Sequence, residues 1–324
     1  MSDHTVDEDA ALVAEAHAVG VVSSRERREG QVRIRRASRP RSSGGRGVQA
    51  VLVGGQAVAY VKETDRQVAT SGSLAERGVL AQLAGLELAP RVLADAAMLW
   101  TSALPGSALH RLRGTTADLA EVAQSWGLAL AGLHTERGAR PPAAAPRPWV
   151  LAAGPRWPQR TVAPEAAAVV LRVAASDPAL RRAARQAEDR WTESGWIHGD
   201  IAPRHVIATC EGLRVRFVDF GAAGAGDPRW DVACALESIA QLAPVWRVSE
   251  NVLSEYFLLG YRRGGGPGRV DPELRGLRAL DIAWQIAVGD QDAGGAGSVQ
   301  AEVDDWLTRA RAFVGRSGQL SWAA

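Results

Sequence analysis

Lysine is almost missing from this chain. Of its 38 basic residues, 37 are Arg and one is Lys, at position 62. Where only positive charge is needed, Arg has been used throughout, so the lone ammonium calls for a role that a guanidinium cannot fill. Cysteine is nearly as scarce: Cys210 and Cys234 are the two present, without CxxC spacing. That excludes a disulfide framework and a zinc-cysteine cluster. No apolar run approaches the roughly 20 residues that span a bilayer. The opening MSDHTVDEDA is acidic, where a secretory signal is basic and then apolar. A net charge of +2 is too small to imply nucleic-acid binding. These absences predict a cytoplasmic protein with no membrane or nucleic-acid partner.

What is present is an ordinary globular balance, 46% apolar and 23% charged over 324 residues, which excludes a wholly disordered chain. Residues 7–20 read as a short helix stopped by Gly20. Val32 and Ile34 alternate with Arg as on a half-exposed strand. Residues 48–53 and 57–62 read as two further strands joined by the hairpin signal Gly54-Gly55. A helix is expected over 73–85, with Ser73 as cap, and short strands at 91–93 and 98–99. From 105 onward helices dominate: 116–134, 164–175, 178–193, 232–243, 249–262 and 272–288, interrupted by a Pro-rich stretch at 140–158.

The chemistry is concentrated in WIHGDIAPRHVI (196–207) and VRFVDFGAAGAGDPRWDVA (215–233). Two short apolar strands each lead into a loop carrying an aspartate, Asp200 and Asp219, 19 positions apart. Phosphoryl transfer from a nucleotide needs such a pair: one carboxylate for the acceptor proton, one for the divalent ion bridging the phosphates. The order HGD, DFG, GDPxWD resembles the aminoglycoside phosphotransferase and choline kinase-like family, relatives of protein kinases, over about residues 30–290.

The resemblance implies an α+β, protein-kinase-like bilobal fold. A nucleotide-binding β-rich lobe (1–104) would precede a helical lobe (105–324) carrying the catalytic loop and acceptor cleft. It makes Asp200 the catalytic base, His198 a buttress of its loop, and Asp219 a metal ligand for Mg2+ or Mn2+. Asp227 and Asp231 become structural acids tying that loop to the next helix. Lys62, at the end of the third strand, takes the place of the lysine that clamps the ATP phosphates. Glu76 is either the ion-pair partner orienting that lysine or a capping-box acid.

Two features depart from protein kinases. Five positions after Asp200 stands His205, where they carry a metal-binding Asn; HGDxxPxH is similar to the loop of macrolide phosphotransferases, which implies His205 as a working ligand. Imidazole is a poorer Mg2+ donor than oxygen, so a weakened site, a Mn2+ preference or a pseudokinase scaffold stay open. In place of GxGxxG stands RASRPRSSGGRG (36–47), where Ser43, Gly44 and Gly45 would approach phosphates. The nine arginines between 25 and 46 suit a solvated basic hairpin as well as a phosphate cradle, with docking of an acidic partner or leader peptide as a third possibility.

Only seven residues separate Asp219 from Asp227, too few for a protein-kinase activation segment. The expected reaction is therefore ATP-dependent phosphorylation of a small-molecule hydroxyl on an antibiotic or metabolite. The alternative is a Ser/Thr of a precursor peptide in peptide natural-product biosynthesis, with a partner protein of that pathway. Glu237, Asp281, Asp290 and Asp292 are the acids available for a cationic acceptor, offset by Arg247, Arg262, Arg263, Arg275 and Arg278. Trp230, Trp246 and Trp284 are either cleft or core.

Overall fold

The computed structural model describes residues 3–38, 47–62, 72–95, 98–151, 165–209, 213–266, 270–289 and 296–315. The chain divides into two compact units, residues 1–106 with 216–221, and residues 107–215 with 222–324.

In the first unit, helices α1 (Asp3–Ala18) and α2 (Ser24–Arg28) precede strands β1 (Val32–Ser38), β2 (Val48–Val53) and β3 (Gln56–Lys62). Helix α3 (Gly72–Gln82) and strands β4 (Val92–Asp95) and β5 (Leu99–Ser102) follow. The five strands form an antiparallel sheet in the order β1-β2-β3-β5-β4. Gly54 and Gly55 make the β2–β3 turn with φ of +58° and +87°, the left-handed values that a tight hairpin requires. Val32 and Ile34 pack inward while Arg33 and Arg35 stay exposed, as their alternation implies. Helix α1 lays Leu12 and Ala16 against Val51, Ala59, Val61 and Trp100. Trp100 is fully buried, and its Nε1 donates to Glu15 Oε1 at 3.0 Å. Burial of one such indole contributes on the order of 4–6 kcal/mol. Because side chains alternate along a strand, Tyr60 and Lys62 point away from the face of Ala59 and Val61. Lys62 thus leaves the core packed under α1.

Three expectations need correction here. Helix α3 begins at Gly72, so Ser73 lies inside it and is not its cap. The two short strands start one residue later than expected and run longer. The Arg-rich stretch 25–46, expected as a solvated basic hairpin, instead opens in helix α2, where Ser23 and Glu26 form a reciprocal capping box, a signature visible in the sequence.

The second unit contains β6 (Ser107–Ala108), α4 (Thr116–His134), α5 (Glu165–Ser176), α6 (Pro178–Asp189), β7 (Gly195–Ile197) and β8 (Val206–Ala208). Strand β9 (Val215–Phe217) carries the chain out, and it returns through β10 (Gly224–Gly226) into α7 (Pro228–Trp246), α8 (Glu250–Arg263), α9 (Pro272–Gly289) and α10 (Ala296–Val314). Thr115 caps α4 through Asp118, which explains the sharp start at 116. Helices α4 and α8 touch backbone to backbone. A Cβ on Gly127 would overlap the Phe257 carbonyl, and one on Gly260 would overlap that of Gln124. Helix α6 stops at Asp189, short of the expected 193, because tertiary bonds capture the following residues. The Arg190 carbonyl accepts from Arg229 Nη2 at 2.7 Å, and Thr192 N–H donates to Asp227. Helix α10 lies beyond the helices expected from the sequence, and Val299, Val303, Leu307, Ala310 and Val314 recur in it at helical spacing. No helix among the described residues is long and apolar enough to cross a membrane.

Candidate active site

The first unit gathers one cation and two carboxylates. Lys62 Nζ donates to Glu76 Oε2 at 2.9 Å and to Asp219 Oδ1 at 2.8 Å. Glu76 therefore acts as the lysine's partner and not as a capping acid. It is 5% exposed, and the Phe220 backbone N–H donates to it as well. Burial raises the Glu76 pKa, with Lys62 pulling against it and Asp219 adding to the rise. Burial opposes the charge on Lys62, but Glu76 and Asp219 outweigh it and hold the ammonium above its ordinary range.

Asp219 reaches this cluster through an unusual backbone. Its φ is +66°, a left-handed value that costs most residues roughly 1–3 kcal/mol and that Asp tolerates better than most. The Phe217 N–H bonded to the Leu88 carbonyl at 2.8 Å ties the segment before it to this unit. Gly221 follows, and a Cβ there would stand 3.6–3.7 Å from Glu76 Oε2, Asp219 Oδ1 and Lys62 Nζ. The DFG sequence thus supplies a carboxylate on a left-handed backbone, and a Cβ at Gly221 would make only ordinary contact with the three charged groups.

The second unit builds the HGD loop between β7 and β8. Asp231, completely buried in the first turns of α7, accepts from His198 N at 2.6 Å and Gly199 N at 2.9 Å. His134 Nε2 contacts the same carboxylate at 3.1 Å, and His134 Nδ1 meets the Tyr261 hydroxyl at 2.7 Å. Burial pushes the Tyr261 phenol well above its usual pKa, with Asp231 and Asp227 adding to the rise, so it stays protonated. Trp230 Nε1 holds the Gly199 carbonyl at 2.9 Å. Asp227 caps α7 by accepting from Arg229 N, and it is clamped by the Arg229 guanidinium. His198 is wholly buried; its ring stacks 6.0 Å from that of His205, and its Nδ1 faces the Asp200 N–H at 3.4 Å. It shapes the loop rather than meeting solvent.

Asp200 stands at the end of this scaffold with its side chain 30% exposed. Arg278 Nη2 lies 3.2 Å from Asp200 Oδ1, and Arg204 Nη2 lies 3.4 Å from Oδ2. His205 Nδ1 bonds the Asp200 carbonyl at 2.7 Å. Burial alone would raise the carboxyl pKa; Arg278 foremost, then His205, Arg204 and His198, drive it well below the ordinary range. The group is an ionised carboxylate at any working pH.

The acids expected to meet a cationic acceptor are already engaged. Asp281 accepts from Trp149 Nε1 at 2.7 Å, from Gln285 Nε2 at 3.0 Å and from Arg278. Glu237, fully buried, is held by Arg275 at 2.6 Å and by Arg309. Asp290 and Asp292 lie outside the described residues, as do Ser43, Gly44 and Gly45. Trp230 and Trp246 are core residues, 1% and 6% exposed, and do not line a cleft. Trp284 is half-buried and tilts against Trp149, ring centroids 5.5 Å apart. Trp149, Arg204 and Arg278 were not singled out by the motif: Arg204 lies inside it, and Arg278 sits 78 positions from Asp200. Among the described residues no group of three or more His, Cys, Asp and Glu forms a ready metal cage.

Solved structures share the architecture at low sequence identity. Choline kinase LicA from Streptococcus pneumoniae superposes with a TM-score of 0.61 at 12% identity, covering 95% of this chain and 99% of that one. The apoenzyme of macrolide 2'-phosphotransferase MphH from Brachybacterium faecium gives 0.56 at 18%, covering 93% and 98%. Amicoumacin kinase hAmiN, solved with AMP-PNP, Ca2+ and Ami, gives 0.58 at 14%, covering 98% and 96%. No curated protein matches the chain by sequence. The α+β, protein-kinase-like fold implied by the motifs is the one observed. Residues 40–280 match the phosphotransferase enzyme family (APH). That span contains Lys62, Glu76, the HGD loop and the DFG segment, and the chain belongs to this family of phosphotransferase enzymes.

Proposed function

We propose that this phosphotransferase moves the γ-phosphate of ATP to a hydroxyl of a small, uncharged or weakly charged molecule, with a partly apolar body. The observation that carries the reading is the placement of the only lysine: Lys62 Nζ lies within hydrogen-bond distance of both Glu76 and the DFG aspartate. A lysine held between carboxylates offers a compact charge for phosphate oxygens, with Glu76 keeping its long side chain extended.

Mg2+ or Mn2+ fits the donors present. Such ions are commonly held by one or two carboxylates together with substrate phosphates and not by an all-protein cage. Asp219 is the hard oxygen donor for this role. His205, whose Nδ1 bonds the Asp200 carbonyl, is the second ligand that the family resemblance implies. The ion, when bound, neutralises charge on the transferring phosphoryl group.

Asp200 orients the acceptor hydroxyl and takes its proton. A carboxylate with a depressed pKa is a weak base, so it does not deprotonate an alcohol beforehand. Phosphoryl transfer through a loose transition state does not ask for that: the proton leaves late, after bond breaking to the leaving group is advanced. Positioning by Arg278 and Arg204 then matters more than base strength.

The acceptor class follows from what the helical unit leaves unspent. Asp281 and Glu237 are saturated by their own cations, which disfavours a polycationic acceptor, and the half-buried Trp149–Trp284 pair favours a flat or apolar body. The segment between Asp219 and Asp227 is filled by the turn Phe220–Ala222 and β10, leaving no length for a protein-kinase activation segment. The test is ATP consumption over a panel of hydroxylated antibiotics and metabolites, with mass spectrometry for an added phosphate. Turnover that requires an acceptor and disappears in Asp200→Asn is the expected result. A native protein that consumes ATP with no member of a broad panel, yet phosphorylates Ser-containing peptides, would sink the small-molecule reading.

A further inference from the structure

Strand β1 is the edge of the five-stranded sheet, and its outer side pairs with no strand among the described residues. Beside it runs a cleft of about 530 Å³ lined by Asp9, Ala10 and Val13 of α1, Arg27 of α2, and Val32, Arg33 and Ile34 of β1. The cleft is apolar along Val13, Val32 and Ile34 and basic at Arg27 and Arg33. Around it Arg25, Arg27, Arg28, Arg33, Arg35 and Arg36 are all exposed. Among the described residues only Arg25 of these six is in an ion pair, with Glu29 at 2.7 Å. The nearby acids are mostly spent: Glu26 is locked in the capping box with Ser23, and Glu29 also accepts from Gln31. Asp9 is the remaining described acid at the cleft.

We propose that this edge docks an extended acidic peptide segment of a partner, which adds to β1 as a further strand. Three features define the occupant. An unpaired edge offers backbone donors and acceptors over seven residues, about 23 Å of strand. Alternation along an added strand would send one set of its side chains to the Val13, Val32 and Ile34 wall and the other to the arginines. The charge then selects the chemistry. A second copy of the same edge would set Arg33 and Arg35 against like charges, which is unfavourable for directly apposed strands. An acidic segment with alternating apolar residues satisfies both walls. The proposal is independent of the acceptor assigned above, because none of these residues has been given a part in phosphoryl transfer.

The probe is a fluorescein-labelled octapeptide of alternating Glu and Val, titrated against the full chain by anisotropy. Binding should weaken about tenfold or more in the Arg33→Glu/Arg35→Glu variant, a charge reversal at two contacts. It should also weaken when alternate peptide N–H groups are methylated, a change that leaves the protein untouched. Hydrogen exchange at β1 amides should slow on peptide addition. Absence of binding, or equal binding of an alternating Lys and Val peptide, overturns the proposal. So does full retention of affinity by the methylated peptide, which rules out strand addition. Equal binding of single-stranded oligothymidylate or of phosphatidylglycerol vesicles through the same arginines would identify a general polyanion surface and overturn it too.

Discussion

Arg278 and Asp200 are joined at 3.2 Å by a guanidinium that is 3% exposed, and the same guanidinium bonds the Ile201 carbonyl and Asp281. A buried cation thus fixes both the charge and the direction of the proposed base. Removing it should act on chemistry first. We expect Arg278→Met to lower kcat about 10²-fold, the scale of a misplaced catalytic group. The acid side of the pH–rate profile gives the sharper readout. Asp200 is held below its ordinary value of 3.8, so its paired, ionised form is present above that value and lost only as pH falls below it. Without Arg278 the largest lowering influence is gone, and the acid limb of kcat/KM should move to higher pH. A lower kcat with an unmoved acid limb would reduce Arg278 to a packing role. Breaking a buried ion pair also costs about 3–5 kcal/mol of stability, so Arg278→Lys, which keeps the charge, is the companion variant.

Lys62→Arg tests why the chain kept one lysine. A guanidinium preserves charge but is planar and larger than the ammonium now standing 2.9 Å from Glu76 and 2.8 Å from Asp219. We expect kcat/KM for ATP to fall roughly 10²-fold or more, a transition-state loss of about 3 kcal/mol, with the melting temperature little changed. Steady-state kinetics with ATP varied checks this. Activity within twofold of the native enzyme would show that the lysine does not grip phosphate.

Much of the site was legible because its parts are neighbours in sequence. His198, Asp200 and His205 sit within eight residues, and Asp219 lies in a three-residue motif. Lys62 and Glu76 were reachable because a composition anomaly coincided with a strand end. Arg278 was not reachable in this way. It is one arginine among 37, on a helix whose pattern says only that it is amphipathic, and its partner is set by how α9 folds back on the HGD loop. The same holds for His134 of α4, which meets Asp231, and for Tyr261 of α8, which meets His134. Trp149 was hidden in a Pro-rich stretch that carries no period. Tertiary pairings of this kind leave no local trace, whereas the α2 capping box and the α10 periodicity did leave one.

Asp231 provides a test of stability. Its carboxylate accepts two backbone N–H groups of the HGD loop and faces His134, all without solvent. Asp231→Asn replaces one acceptor oxygen with an N–H2 donor that confronts a donor already in place. Leaving a buried charged hydrogen-bond site unsatisfied should cost about 2–4 kcal/mol. Urea denaturation should show the loss as a lower midpoint. Unchanged stability would mean the loop is held by other contacts.

Gly199 separates the loop's geometry from its charges. Its φ is +83°, and a Cβ there would overlap the Ala222 carbonyl oxygen. Two costs therefore coincide in Gly199→Ala. The left-handed backbone strains any L-residue by about 1 kcal/mol or more, and the overlap forces the peptide apart from a neighbour that is backbone and cannot rotate away. The sum should be about 2–3 kcal/mol of destabilisation, visible as a fall in melting temperature. Gly199 also precedes Asp200 and passes its carbonyl to Trp230 Nε1, so any relief of the clash turns the carboxylate relative to Arg278. We expect kcat to drop at least tenfold at temperatures where the variant is still fully folded by circular dichroism. A variant of native melting temperature and native kcat would show that the HGD turn relaxes freely, and the positional argument for Asp200 would fall with it.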